Sequence, residues 1–206
     1  MKQSSIILCF LITGLAIPTQ ARTFKGLSAG TNASYSNYNK FGAEGFAQAN
    51  LQFGRFPFEP KLGLSYCSFT TDYKDFNNLN VESIGFFVEG DIYPFSNYFY
   101  TGLRLDIDVN WFNNQAMNAL NNINEPVVRT FPGSRLYAVI GLDIPINQQV
   151  SLRISAMPGW QFYTISDNWK ITSGSSGINL NSYNGITYNR FAFQINAGFA
   201  IRLWNK

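Results

Sequence analysis

The stretch that decides the fold is residues 190–204, which reads RFAFQINAGFAIRLW. Every second residue from Phe191 to Leu203 is apolar, and the residues between them are mostly small or polar. A period of two sustained over this length indicates a β-strand whose two faces meet different surroundings. Strands of globular proteins usually span about five or six residues, whereas a tilted strand that crosses a bilayer needs roughly nine to eleven. The stretch therefore predicts a membrane-crossing strand.

The same alternation recurs along the rest of the chain. Seven further segments show it, at residues 25–36, 43–53, 61–71, 82–93, 98–112, 135–146 and 150–165. Pro158-Gly159 interrupts the last of these segments, and we expect a β-bulge there.

The connections between the segments also follow a pattern. Short ones alternate with longer ones rich in Asn, Ser and Gly, and the longer ones include 72–81, 113–134 and 166–186. Outer-membrane barrels carry short turns on the periplasmic rim and long loops on the outside. We therefore predict an all-β fold, an eight-stranded antiparallel up-and-down transmembrane β-barrel. Re-dividing the first segment and residues 113–134 would give ten strands, so the number stays open between eight and ten.

Residues 1–21 have the features of a signal peptide. Lys2 supplies a positive start, residues 6–17 form an apolar core, and Thr19-Gln20-Ala21 ends the segment on small residues. The apolar run is shorter than the ~20 residues that a membrane helix needs. We expect export to the outer membrane with cleavage after Ala21, which leaves residues 22–206 as one barrel domain.

The composition argues against two other classes of protein. The chain has 15 basic and 12 acidic residues without a basic run, so nothing indicates a nucleic-acid partner. Charged residues make up 13% of the chain, which is a low proportion for a protein with a soluble surface. A soluble lipocalin-like carrier, which would place its apolar residues inside, is kept as a second alternative.

Aromatic residues cluster where the segments end. Amphipathic rings favour the headgroup level, so a membrane barrel is expected to carry one aromatic girdle at each interface. The residues predicted for these girdles are Tyr35, Tyr93, Phe95, Tyr98, Trp111, Trp160, Tyr188 and Trp204.

The inward-facing positions of the segments collect charged residues of both signs. Charges in a low-dielectric interior need partners, so we expect a network of ion pairs that fills the narrow barrel. An alternative is a narrow gated path in which exchange of ion pairs, centred on Arg104, opens a passage. The residues predicted to form the interior cluster are Glu44, Lys61, Glu89, Asp91, Arg104, Asp106, Asp108, Asp143, Arg153 and Arg202.

Two acidic pairs in this cluster also suggest oxygen ligands for Ca²⁺. Glu89 and Asp91 lie on the fourth segment, and Asp106 and Asp108 lie on the fifth. Because Arg104 is in register nearby, we expect arginine to neutralise these carboxylates and predict no metal site.

On these features, the chain resembles the small outer-membrane β-barrel proteins of Gram-negative bacteria, the group of OmpA transmembrane domains, OmpX-like and OmpW-like proteins. The resemblance covers residues 22–206 and rests on the leader, the eight segments, the Pro94-Phe95-Ser96-Asn97 turn and the closing strand. It implies contact with membrane lipid and with the barrel-assembly machinery. That machinery reads a terminal aromatic residue in many such barrels, and here Trp204 is followed by two more residues.

The sequence argues against catalysis, since it contains no histidine to act as a base or a zinc ligand. We expect no enzyme and no cofactor. The leading hypothesis is a structural or surface-contact protein of the cell envelope, with residues 113–134 and 166–186 as candidate partner-binding loops. The alternative is a small porin-like channel or transporter for ions or small apolar molecules, with a wall opening at Pro158-Gly159.

Overall fold

The computed structural model describes residues 22–37, 39–53, 56–73, 75–95, 98–120, 129–174 and 177–205. The predicted leader, residues 1–21, lies outside this range. Side chains at 22–24, 39–40, 52–53, 56, 166–174, 177–185 and 204–205 are also outside the description. The elements are β1 (Arg22–Ser36), β2 (Asn39–Phe53), β3 (Phe56–Tyr73), β4 (Phe76–Ile92), β5 (Phe99–Phe112), α1 (Asn114–Leu120), β6 (Thr130–Pro145), β7 (Val150–Gly174) and β8 (Gly177–Asn205).

The eight strands form one closed barrel in which each strand pairs antiparallel with its sequence neighbour. Closure is made between the first and last strands, where Ala29 of β1 faces Ile201 of β8. The prediction of an eight-stranded up-and-down barrel is confirmed, and the ten-stranded division is wrong. Because every strand has two partners in the barrel wall, closure leaves no sheet edge along it.

The strands are strongly staggered around the barrel. Hydrogen-bonded partners can be followed from Tyr35 on β1 around the ring through β8, β7, β6, β5, β4, β3 and β2. This path returns to β1 at Phe24, a stagger of roughly ten residues once the bulge after Phe24 is discounted. A stagger of this size requires strongly tilted strands and an interior just wide enough for side chains.

The two ends of the barrel differ. We call one end the short-turn rim, which carries the connections at 93–98 and 146–149 and both strand ends, Arg22 and Asn205. The opposite end is the long-loop rim, where residues 113–129 join β5 to β6.

Strands at the long-loop rim extend further than the sequence pattern predicts. Most of 72–81 and 166–186 is strand, and β7 pairs with β8 as far as Gly174 and Gly177. The predicted loop 113–134 contains helix α1 and the first residues of β6. None of the helices in the described part of the chain is long and apolar enough to span a membrane.

The predicted β-bulge at Pro158-Gly159 is wrong. Gly159 pairs with Tyr137 and Ala156 pairs with Ile140, so the β6–β7 register is the same on both sides of the proline. On the other side, Pro158 faces Phe193 in an unbroken ladder with β8. The proline lacks an N–H, but the wall continues through it.

Alternation along the strands separates two faces. Outward side chains are large, apolar and exposed, for example Leu103, Ile107 and Phe199 at 67, 62 and 50%. No charged side chain of the described residues is exposed in the middle of the wall. Exposed or half-exposed charges lie towards its two ends, with Lys25 and Arg202 at the short-turn rim and Asp72, Asp75, Glu82 and Arg129 at the long-loop rim. Inward side chains are buried and polar in the middle of the barrel. The barrel therefore has an apolar outer wall around a charged interior.

Candidate functional site

The interior contains a continuous chain of ion pairs. Starting nearest the long-loop rim, Arg135 lies 2.7 Å from Asp108 and 3.5 Å from Asp106. Arg104 lies 2.8 Å from Asp106 and 2.9 Å from Glu44. These side chains are almost completely buried, so their desolvation is offset by their mutual contacts and by hydrogen bonds to neighbouring polar side chains.

The chain continues towards the short-turn rim through a second set of contacts. Glu89 lies 3.6 Å from Arg104 and forms an ion pair with Lys61. Lys61 lies 3.2 Å from Asp91, whose other cation is Arg153 at 2.8 Å. Acidic and basic side chains thus alternate along the barrel axis.

The structure brings together nine of the ten residues predicted for the interior cluster. The exception is Arg202, which is exposed at the short-turn rim and donates to the backbone oxygen of Gln148 at 3.4 Å. Arg202 has inward parity on β8 but lies at the rim beyond the ion pairs, where it lines a cavity and not the network. Asp143 is a peripheral member, 3.8 Å from Arg153.

Two members of the network were not predicted from the sequence. Arg135 opens the sixth predicted segment, and its odd number already places it on the inward face with Tyr137. Glu59 lies in what the pattern predicts to be a turn, but β3 begins at Phe56 and carries Glu59 to within 3.0 Å of Arg153. The alternation of residues in the sixth segment was therefore sufficient to predict Arg135, but not Glu59.

Glu44 is the most heavily hydrogen-bonded carboxylate of the cluster. Both of its oxygens meet Arg104 at 2.9 Å. The amides of Asn32, Gln194 and Asn196 also donate to it, at 3.1–3.2 Å. A buried carboxylate held by five donor contacts is fixed as an anion and as a structural anchor between β1, β2, β5 and β8.

Carboxylates predicted as alternative Ca²⁺ ligands all face cations here. Glu89 and Asp91 contact Lys61, and Asp106 and Asp108 contact Arg135. Within the described ranges, no group of three acidic, cysteine or histidine residues is arranged to hold a metal ion.

Aromatic rings separate the cations from the wall. Phe46, Phe87 and Tyr100 each face a glycine on the neighbouring strand: Gly30, Gly63 and Gly141. On their other side the rings meet Lys61 at 5.1 Å, Arg104 at 3.7 Å and Arg153 at 4.4 Å from the ring centroid, respectively. A Cβ added at Gly63 would stand 2.5 Å from Phe87, so only glycine leaves room for this ring. Glycine, ring and cation form a repeated three-layer stack that positions the network.

The end of the interior near the long-loop rim is apolar, which sequence reasoning did not predict. We call it the apolar plug. Its buried members come from several strands and α1 and are Cys67, Phe69, Tyr73, Leu79, Val81, Phe112, Ala116, Leu120, Phe131, Tyr163 and Ile165. Helix α1 inserts Ala116 and Leu120 into this cluster. The plug therefore closes the lumen above the ion pairs.

The aromatic residues predicted for the girdles divide into two groups. Tyr35, Phe95, Tyr98 and Trp160 are exposed on the outside, at 51–89%, and Trp111 donates to Glu82 at 3.0 Å on the outer face. Tyr93 and Tyr188 instead point into the barrel, where Tyr188 stacks on Tyr163 at 4.9 Å. Trp204 ends the closing strand, and its side chain lies outside the described residues.

A cavity of about 380 Å³ opens at the short-turn rim, and we call it the vestibule. Tyr93 at its inner end has its hydroxyl 2.7 Å from Glu59 and 3.1 Å from Asp143. Burial raises the pKa of Tyr93, and the two carboxylates raise it further despite Arg153. The phenol therefore stays protonated and acts as a donor. The vestibule is the accessible end of the ion-pair network.

Among solved structures, the chain is similar to Neisserial surface protein A (NspA). The TM-score is 0.41 at 13% sequence identity, and the match covers 89% of this chain and 100% of that one. No protein-family model and no curated protein matches the chain.

Proposed function

We propose that this chain is a non-enzymatic integral outer-membrane protein. The observation that carries the proposal is the outer wall of the barrel, whose large apolar side chains are exposed between two charged ends. On β8 this wall runs from Phe191 to Leu203, about 40 Å along a strand that rises ~3.3 Å per residue. With a tilt of roughly 40°, that length spans the ~25 Å apolar band of such barrels with a margin at each end.

The polarity of the two faces also argues against a soluble carrier. A lipocalin-like barrel would hold apolar side chains inside and charges outside. Here Arg104, Arg135 and Asp106 are at most 2% exposed, while Leu64 is 66% exposed. A lipid bilayer makes this arrangement of an apolar outside and a charged inside favourable, because lipid covers the apolar wall while the charges form ion pairs in the interior.

We assign the long-loop rim to the cell surface and the short-turn rim to the periplasm. The filled lumen favours a structural or surface-contact role over free passage of solutes. Candidate contact surfaces are the connection 113–129 with α1, and the β7–β8 hairpin, whose strands continue about ten residues past their last pairing with β6 at Tyr163.

Fractionation with a heat-shift gel tests the membrane assignment. The expected result is an outer-membrane band whose mobility changes on boiling, because the closed barrel resists detergent until it is heated. A soluble protein with one mobility would overturn the assignment.

Mass spectrometry of the same band tests processing, and the expected mature terminus is Arg22. Protease added to intact cells tests orientation. Cleavage is expected within 113–129 and not at 146–149, and the reverse pattern would invert the proposed topology.

A further inference from the structure

The vestibule has the size of a ligand site, and the proposed function leaves it unused. Its volume of about 380 Å³ lies within the range of small-molecule pockets. It is lined by residues of β1, β2, β3, β6, β7 and β8, by Tyr93 and Tyr98, and by the connection 146–149. Because closed strands build its walls, the site is held by the rigid part of the molecule.

Two carboxylates at the inner end of the vestibule are only partly engaged. Glu59 Oε2 accepts from Gln48 at 3.0 Å, Tyr93 at 2.7 Å and Arg153 at 3.0 Å. Asp143 Oδ2 lies 3.1 Å from Tyr93 and 3.8 Å from Arg153. The second side-chain oxygen of each carboxylate, Glu59 Oε1 and Asp143 Oδ1, accepts no hydrogen bond from the described residues.

The inner end of the vestibule also has more negatively than positively charged side chains. Arg153 forms ion pairs with Glu59 and Asp143, and it also lies 2.8 Å from Asp91. Lys61, the next cation inward, is already shared between Glu89 and Asp91. Partly buried carboxylates with too few counter-charges attract a positively charged donor, and an ammonium group with three N–H donors suits two open oxygens.

The mouth of the vestibule has the opposite sign. Lys25 and Arg202 are both exposed and line the same cavity, together with the amides of Gln148 and Gln149. These cations repel a simple dication but attract an anionic group. A ligand that matches both ends therefore carries a positive and a negative charge.

We propose that the vestibule binds a small zwitterion of the amino-acid or short-peptide type. Its ammonium group contacts Glu59 and Asp143, and its carboxylate lies towards Lys25 and Arg202. This site goes beyond the proposed membrane function and does not depend on the orientation of the barrel. With the short-turn rim in the periplasm, the ligand enters from that compartment.

Calorimetric titration of the purified barrel in detergent tests the proposal. The probes are dialanine and trialanine, each compared with its N-acetylated form, which lacks the ammonium, and its C-terminal amide, which lacks the carboxylate. At least one free peptide is expected to bind saturably, and removal of either charge is expected to weaken binding tenfold or more. A heat-shift gel on each sample shows separately that the barrel is folded.

Variants test which end of the vestibule contacts the ammonium group of the ligand and which contacts its carboxylate. Asp143→Asn is expected to weaken the free peptide about tenfold, and its loss of one long contact to Arg153 is mild enough to preserve folding. Arg202→Gln is expected to weaken the free peptide but leave the amide unchanged. Arg129→Gln at the opposite rim is the matched control and should change neither.

Three results would overturn the proposal. These are no saturable binding of either free peptide in the millimolar range, equal binding of free and acetylated peptides, and equal binding of free peptides and amides. The last result would leave a site for cations alone. None of them bears on whether the barrel lies in the membrane, which fractionation decides.

Discussion

At the residue scale, the interior depends on glycines that let aromatic rings lie flat against the wall. A Cβ on Gly141 would overlap the Tyr100 ring, which packs on Arg153. Gly141→Ala is therefore expected to displace this ring and destabilise the barrel by about 1–3 kcal/mol. The measurement is the urea midpoint in detergent. Gly45→Ala is the matched control, because no atom lies within 4 Å of its added Cβ.

The central cation of the network is the second prediction at this scale. Arg104 contacts Glu44, Glu89 and Asp106, so Arg104→Met leaves three carboxylates short of a partner in the dry interior. We expect a loss of about 3–5 kcal/mol in unfolding free energy. Arg129→Met removes an exposed arginine bonded only to Asn114 and should stay within about 0.5 kcal/mol. Similar stability of the two variants would show that the ion pairs do not hold the barrel together.

At the scale of elements, α1 is a short helix at the long-loop rim. It has seven residues and packs mainly against β4 and β5. A helix this short is unstable alone, so it depends on Ala116 and Leu120 in the apolar plug.

Removal of one anchor of α1 should therefore act locally. We expect Leu120→Ala to release the helix, so that protease cuts within 113–129 several-fold faster while the heat-shift temperature is unchanged. Asn118→Ala, on the exposed side of the helix, is the control. A barrel that melts early in Leu120→Ala would show instead that the plug is part of the global core.

The outer wall is a property of the strands together, and a charge in its middle tests it. Ile107 is 62% exposed on β5 between Leu105 and Val109. Ile107→Arg is expected to cost about 2–4 kcal/mol in lipid vesicles, because the arginine would enter the apolar band. Asn189→Arg, placed outward above this band on β8, should cost at most about 1 kcal/mol. Equal costs at the two positions would contradict burial of this wall in lipid.

At the scale of the whole molecule, two barriers of different chemistry stand in series along the lumen. The apolar plug closes the long-loop end, and the ion-pair network fills the middle. The vestibule is a dead end, because Arg153 and Lys61 lie beyond it. The barrel thus combines an open cup at the short-turn rim with a closed long-loop end.

The last prediction follows from the two barriers that close the lumen one after the other. We expect no resolvable ion current from the protein in planar bilayers, and none from Leu120→Ala or Arg104→Met alone, because each variant leaves the other barrier in place. The double variant is the informative case, since it weakens both. A steady current from either single variant would contradict two independent barriers and favour the gated-path alternative.

The alternation of residues in the sequence by itself determined the order of the strands and the two faces of the wall, whereas the closed barrel decided eight strands over ten. The face of a side chain depends only on its parity within a strand, which is a local property. Parity therefore places Arg104, Asp106 and Asp108 inside and Leu103, Ile107 and Val109 outside.

Only the tertiary structure decided which inward residues meet and at what height. Register and stagger between strands set those contacts, and they arise from packing around the whole ring rather than from any one segment. For this reason Arg202, with the correct parity, lies outside the network, while Glu59 joins it. Tyr93 and Tyr188, by contrast, turn inward because they share the parity of Asp91 and Ala192, which is a local property. The packing of the whole ring also decided that a helix and an apolar plug close one end of a lumen that the charges alone predict to be polar.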